Sequence, residues 1–296
     1  MPDFQDIQVS TKTVIAQTSA CYDIRKLFEK LPVADYTIVK KKRGRKKNIP
    51  APDPNKGLES GSIITLKYFE QLRGVNLKPK KKVGKYFRNA LSIVMKVKDK
   101  LVNFKLSKNG KFQMTGIKTT EHAVMCVKHL WDHIFKLSDH TVYTLKGANL
   151  QVILKVVMTN VDFSLGFLVN RSNLDKFFNE STEYNSLLET SFGYTGVNIK
   201  FPSNTSPYKN LLRFTFDKDT DNWEKDQITY DDYLKTLNVA DKKKEVQKQR
   251  YNTFLVFHSG NVIMSGAVKS HMQGPYYQFL DIVRKCRTHI EEKLDT

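Results

Sequence analysis

The sequence predicts an α+β fold built from two copies of one small unit, each an antiparallel sheet with two helices against one side. Three observations predict it. Lys111-Phe112-Gln113-Met114-Thr115-Gly116 returns 150 residues later as Asn261-Val262-Ile263-Met264-Ser265-Gly266, and the strand and turn before it, 103–110, return as 253–260. Upstream, Asp23-Ile24-Arg25-Lys26-Leu27-Phe28 matches Asn173-Leu174-Asp175-Lys176-Phe177-Phe178 at the same offset of 150. Both copies also read strand, helix, strands, helix. A period this long indicates a duplicated domain, because solenoid units run roughly 20–50 residues. The expected copies are 1–149 and 150–296.

In the first copy, 8–16 is rich in Thr and Val and predicts a strand. Residues 23–31 place Ile24, Leu27, Phe28 and Leu31 on one helical stripe, and Pro32 ends it. An insertion at 35–85 follows. It holds the basic run 40–47, three prolines, an apolar stretch at 63–72 and a second basic run at 78–82. Strands are predicted at 91–97, 101–107 and 111–116, with Asn109-Gly110 as the tight turn between the last two. A closing helix at 120–137 carries Val124, Val127, Leu130, Trp131 and Ile134 on its apolar stripe. The second copy predicts strands at 152–162, 195–201, 251–257 and 261–266, with helices at 172–179 and 275–293. Its insertion falls at 203–249, acidic first and then basic, and is expected to be mobile or to fold separately.

The formal net charge is +19, from 49 Lys+Arg against 30 Asp+Glu, which favours a polyanionic partner. No apolar run approaches the roughly 20 residues of a membrane span. The first residues lack the basic start and apolar core of a signal peptide. Cys21, Cys126 and Cys286 are far apart and odd in number, and read as reduced thiols of an intracellular protein. No phosphate-binding glycine motif, nucleophile elbow or metal cluster stands out, so the expectation is a binding protein without catalysis or cofactor. His129 and His133 lie four apart on a predicted helix and are expected to face solvent.

Side chains alternate along strands. Phe254, Val256, Val262 and Met264 are therefore expected on one sheet face, with Leu255, Phe257, Ile263 and Ser265 on the other. Two helices per copy cover a single face, which leaves Leu255, Phe257 and Ile263 as an open apolar surface, the mark of an interaction site. The open face of the first copy instead carries Asn103, Lys105, Ser107, Gln113 and Thr115.

Leu255-Val256-Phe257-His258-Ser259-Gly260-Asn261-Val262-Ile263-Met264-Ser265-Gly266 resembles the repeat signature of the TATA-binding protein family. That signature is a strand ending in apolar-apolar-Phe, a Ser-Gly-Lys-type turn and a strand ending in Thr-Gly. The first copy keeps Asn109-Gly110-Lys111 and Thr115-Gly116, with Ser107 in place of the Phe. The resemblance covers roughly 7–34, 86–137, 150–202 and 250–294, and neither insertion matches it. It implies two pseudo-repeats forming a saddle-shaped, curved antiparallel sheet with helices on the convex face. The concave face would sit in a widened minor groove, and this family is itself a standard case of apolar wedges kinking DNA there.

The resemblance also implies roles. Phe257 takes one wedge position, and its partner position holds Tyr194. In the first copy the partner position falls on Ala90, or on Phe87 with a shifted strand entry. The groove-contacting Thr falls on Thr115 and Ser265. The phosphate-reaching basic residue falls on Lys96 and Lys200, with Lys105 and Lys111 adding charge. The paired Asn falls near Thr11, and on Met158 or, with a two-residue gap, Asn160. Glu189 falls where the family contacts factor IIB. The second copy is thus the kinking half, with Phe257, Leu255, Ile263, Ser265 and Tyr194. One strong kink and a relaxed TATA requirement are expected. Arg43-Gly44-Arg45, within the run 40–47, resembles an AT-hook aimed at narrow A·T minor grooves, and a solvated tail or nuclear-localisation signal is the alternative. The acidic stretch 217–232 is expected to be a solvated loop, with a partner site or a DNA mimic covering the groove as the alternatives.

The expected function is promoter binding and bending of A·T-rich duplex DNA by a monomer, with a factor IIB-like protein and RNA polymerase as partners. The large inserts and high Lys content suggest a viral member, placed in the nucleus or a cytoplasmic viral factory. The alternative is a scaffold whose saddle binds a protein while its basic loops hold nucleic acid non-specifically. A virion or chromatin packaging protein fits the charge but not the two-copy hairpin.

Overall fold

The computed structural model describes residues 2–37, 57–77, 89–137, 139–189, 195–203 and 208–292. In chain order these form β1 (Val9–Thr18), β2 (Ala20–Tyr22), α1 (Ile24–Lys30), β3 (Ile63–Tyr68), β4 (Gln71–Gly74), β5 (Ala90–Val97), β6 (Lys100–Ser107), β7 (Lys111–Ile117) and α2 (Thr120–Phe135). Then come β8 (Tyr143–Leu145), β9 (Leu150–Ser164), α3 (Arg171–Ser181), β10 (Asn185–Glu189), β11 (Gly196–Ser203), β12 (Asn210–Asp217), β13 (Asn222–Thr229), α4 (Tyr230–Thr236), α5 (Val239–Val246), β14 (Arg250–Phe257), β15 (Asn261–Gly266) and α6 (Gln273–Ile290). The fold is α+β, with antiparallel strand pairing and six α-helices among the described residues.

The chain divides into two compact units, and neither is a continuous segment. The first comprises Thr13–Lys155 and Leu212–Gln227; the second comprises Met1–Lys12, Val156–Leu211 and Ile228–Thr296. This differs from the expected 1–149 and 150–296 in two main stretches: 1–12 group with the second unit, and 212–227 with the first.

In the first unit the strand order is β1-β7-β6-β5-β3-β4. Alternation turns Phe104, Leu106, Phe112 and Met114 inward, where they are buried together with Ala123, Val127, Leu130, Trp131 and Ile134 of α2. Phe104 and Phe112 stack at 5.9 Å. Asp23 starts α1 by accepting a hydrogen bond from the Lys26 amide, and Thr119 starts α2 by accepting from the His122 amide.

In the second unit the order is β9-β15-β14-β11-β10. Its core joins Val161, Phe163, Val197, Ile199, Phe254, Val256, Val262 and Met264 of the sheet to Leu174 and Phe178 of α3 and to Tyr276, Phe279 and Val283 of α6. Phe254 lies flat on Phe279 at 4.2 Å. Along β9 the buried residues are Leu150, Val152 and Leu154, and then Thr159, Val161 and Phe163, so the buried parity changes after Leu154.

The duplication shows most clearly in the hairpin turns. Gly110 and Gly260 both have φ near +78°, at 78° and 77°. A Cβ there would lie 2.2 Å from the Ala20 carbonyl oxygen and 2.1 Å from that of Phe167, so only glycine fits. The Gly110 amide donates to the Ser107 carbonyl and the Gly260 amide to that of Phe257, each at 3.0 Å. Ser107 and Phe257 are therefore equivalent. The helices keep a different offset. The N-caps are Asp23 and Asn170, 147 residues apart, so the match of Asp23 to Asn173 at 150 is corrected by three residues. The same 147 separates Thr18 from Leu165, whose amides donate to the Gly110 and Gly260 carbonyls, so the first strand and first helix of each copy share one offset and the hairpin another.

Two expectations about the insertions are corrected. Part of 35–85 is repeat, because β3 flanks β5 as β10 flanks β11. The segments linking α1 to β3 and α3 to β10 differ in length, so a fixed offset hides the match. The segment 203–249 is not a separate body. β12 pairs with the start of β9, Phe216 opposite Leu150. Phe216 sits edge-on to Trp131 at 5.7 Å and to Phe135 at 5.1 Å, and Lys128 of α2 lies 5.2 Å from the Trp223 ring. Apolar β12 residues thus complete the core of the first unit.

Two outcomes follow from this arrangement. Phe216→Ala lowers stability by about 3 kcal/mol in chemical denaturation, the usual cost of emptying a buried aromatic site; an unchanged midpoint would remove β12 from the core. Expressed separately, 1–149 and 150–296 give no dispersed amide spectrum, because each lacks strands that its unit requires.

Candidate nucleic-acid interface

Strand register places the open face of the second unit without reference to any ligand. One cross-strand row runs Leu187, Asn198, Leu255, Ile263, Asp162. A second runs Asn185, Lys200, Thr253, Ser265, Asn160. A third sets Gly196 opposite Phe257, with Glu189 next to Gly196 in register. Leu255, Phe257, Ile263 and Ser265 are half-buried, whereas their neighbours Phe254, Val256, Val262 and Met264 are sealed against the helices. A Cβ on Gly196 would come within 2.7 Å of Leu255 Cδ1, so the absence of a side chain leaves Leu255 its place beside the Phe257 row. Tyr194, the expected second aromatic, lies outside the described residues.

The polar end of this face holds Thr11, Asn160 and Ser265. Asn160 Nδ2 donates to Thr11 Oγ1 at 3.1 Å, and Ser265 is the register partner of Asn160. Of the two candidates for the second groove-reading amide, Asn160 is the one that meets Thr11; Met158 is exposed on the same strand. Ser10 Oγ donates to the Asn160 carbonyl at 3.2 Å or to Asp162 Oδ1 at 3.1 Å. Asp162 was missed from the sequence. It is an exposed carboxylate beside Ile263, and its alternation with Val161 and Phe163 could have revealed it.

The first unit presents different chemistry at the matching rows. One runs Leu72, Lys67, Ser92, Lys105, Gln113, and a second runs Gly74, Thr65, Val94, Asn103. Thr115 and Lys111 are exposed on β7. At the wedge positions Ala90 pairs with Ser107. The Ser107 hydroxyl is turned to its own hairpin, donating to Asn109 Oδ1 at 2.8 Å or to the Lys111 carbonyl at 3.0 Å. Phe87, Arg43 and Arg45 lie outside the described residues, as do the basic runs 40–47 and 78–82. Lys67 and the other β3–β4 residues were missed because that stretch was read as insertion.

The two phosphate-reaching lysines differ. Lys200 is exposed on β11, with Nζ 5.9 Å from the Tyr251 ring. Lys96 Nζ donates to the Leu58 carbonyl at 2.6 Å, so the ammonium expected at a phosphate holds the 57–62 loop instead. The histidine expectation is corrected too. His129 Nε2 lies 3.0 Å from Ser60 Oγ and His133 Nε2 lies 2.9 Å from the Gly61 carbonyl, so the pair fastens that loop to α2 instead of facing solvent. Burial holds the His129 pKa below its ordinary value. Burial also pushes the Cys126 thiol up to about 12 and the Cys286 thiol to about 11, which makes both poor nucleophiles.

These features define a two-unit α+β chain in which one open sheet face is apolar and aromatic and the other polar and basic. No family model matches the sequence. The chain is 24% identical over 260 residues to "Uncharacterized protein 335L" of Invertebrate iridescent virus 6, covering 84% of this chain and 74% of that protein. Among solved structures it is similar to "Methanococcus jannaschii TBP", with a TM-score of 0.41 and 12% identity over 96% of this chain and 99% of that one.

The histidine clasp gives a pH dependence. A histidine with a depressed folded pKa adds stability above its unfolded value, about 6.5, and loses it as pH falls through the folded value. Urea midpoints therefore drop between pH of about 7.5 and about 5.5, and His129→Gln reduces that drop. An identical pH slope in the variant would show that the clasp does not titrate in this range.

Proposed function

We propose that the chain is a TATA-binding-protein-like initiation factor that binds A·T-rich promoter DNA in the minor groove and bends it, with the second unit as the kinking half. The observation that carries this reading is the row structure of the second open face. Phe257 ends its strand half-buried, with Leu255 and Ile263 beside it and Ser265, Asn160 and Thr11 as polar neighbours. An aromatic wedge with apolar flanks partly unstacks a base step and kinks the duplex. The net charge of +19 supports a polyanionic partner.

The first unit engages DNA differently. Lys67, Lys105 and Lys111 reach phosphates and Thr115 reaches the groove, while Ser107 and Ala90 insert nothing. Binding there is electrostatic and sequence-tolerant, so the total bend is smaller than two wedged halves would give. Glu189, at the end of β10, marks the side for a factor IIB-like partner that brings RNA polymerase. Similarity to an iridescent virus protein supports a viral setting, in the nucleus or a cytoplasmic viral factory. Asp162 favours a second reading, because an exposed carboxylate beside Ile263 repels phosphate. In that reading the face binds a transcription protein and only the basic segments hold nucleic acid.

The test is a fluorescence-resonance bend assay on an A·T-rich duplex near physiological salt. Wild type bends the duplex, and Phe257→Ala abolishes most of the bend with an affinity loss of roughly tenfold. Lys105→Ala lowers the salt slope by about one while leaving the bend intact. A bend indifferent to Phe257 would sink the wedge and leave the scaffold reading.

A further inference from the structure

The helix α5 buries none of its side chains, yet it is firmly capped. Asn238 Oδ1 accepts from the Asp241 amide at 2.8 Å, and Asp241 Oδ2 accepts from Asn238 Nδ2 at 2.8 Å. One side is anchored through Glu245, which accepts from Arg250 at 2.9 Å and from the Tyr230 hydroxyl at 3.2 Å. An eight-residue helix has too few turns to be stable alone and normally buries an apolar stripe. Here the apolar residues point the other way. Val239 is 86% exposed and Val246 60% exposed.

Helical geometry arranges the outward side chains in order. Taking Glu245 as the inward direction at about 100° per residue, Val246 lies about 100° round, Val239 about 120°, Lys243 about 160° and Ala240 about 220°. Lys242, at about 60°, and Lys244, at about 260°, stand on the two margins. The solvent face is thus a small apolar strip, Val239, Val246 and Ala240, with a lysine in its midst and one on each side. Both acids of the helix are already engaged, Asp241 with its cap and Glu245 with Arg250. The face is therefore apolar and cationic with no counter-charge of its own.

We infer that this face docks an acidic amphipathic helix of a partner protein, one that sets an apolar ridge on the valines and carboxylates against Lys242, Lys243 and Lys244. The chemistry separates this occupant from the other polyanions. A phosphate backbone would answer the lysines but leave both valines facing water, and two valines are too small an anchor for a lipid surface. A second copy of this chain, at net charge +19, is repelled. The site does not depend on the open sheet faces.

The experiment uses the full chain and a fluorescein-labelled synthetic peptide that forms a helix with leucines along one face and glutamates on both margins. Its anisotropy rises saturably with wild type. Val239→Ser combined with Val246→Ser weakens binding roughly fivefold, and Lys243→Glu weakens it further. Both variants change exposed side chains, so circular dichroism and Phe257-dependent DNA bending stay at wild-type levels. A peptide of the same composition in scrambled order does not bind. The inference is overturned if the double serine variant binds the peptide as wild type does. It is also overturned if that variant loses affinity for duplex DNA or anionic vesicles while keeping the peptide.

Discussion

The register of the two glycine-turned hairpins governs everything else in this molecule. Side chains alternate with a period of two, so a one-residue slip in β6–β7 or β14–β15 would exchange each buried face for its open one. Gly110 and Gly260 prevent the slip. Their positive φ and their lack of a Cβ let the turn press against the carbonyls of Ala20 and Phe167. The Gly110 carbonyl accepts from the Thr18 amide and the Gly260 carbonyl from that of Leu165, which ties each turn to the strand before the first helix of its unit. Phe257 faces outward because Gly260 can sit where it does.

The same backbone device therefore carries two unlike surfaces. Helix-facing positions are constrained by packing and stay apolar in both copies: Phe104, Leu106, Phe112 and Met114 match Phe254, Val256, Val262 and Met264. Open positions have no such constraint. They have diverged to Lys105, Ser107 and Gln113 in one unit and Leu255, Phe257 and Ile263 in the other. Ser107 has even become part of its own turn. Duplication supplies the frame, and the uncovered faces are free to specialise.

Legibility from sequence followed the range of the interactions. The hairpins, the helices α2 and α6 and the two faces depend on spacing within about twenty residues, and their pattern could be read directly. Thr11 and Asn160 meet across 149 positions, so only the family resemblance pointed to them, and it left Met158 open. Lys96 and the two histidines were misread because their partners, Leu58, Ser60 and Gly61, lie in a segment without periodicity. β3 and β10 were hidden by unequal linkers. β12 was obscured by the acidic residues that follow it, although Leu212, Phe214 and Phe216 already alternate as an apolar side.

The discontinuous composition of the units has a consequence for synthesis. The first unit needs Leu212–Gln227, so it cannot be finished until more than three quarters of the 296 residues have left the ribosome. Until then Trp131 and Phe135 on α2 lack Phe216, the ring that packs edge-on against both. Long-range strand pairing is slow to form, and unpaired edges invite association during the wait. The nascent chain thus passes through a long interval in which the core of the first unit waits for a strand that has yet to be made.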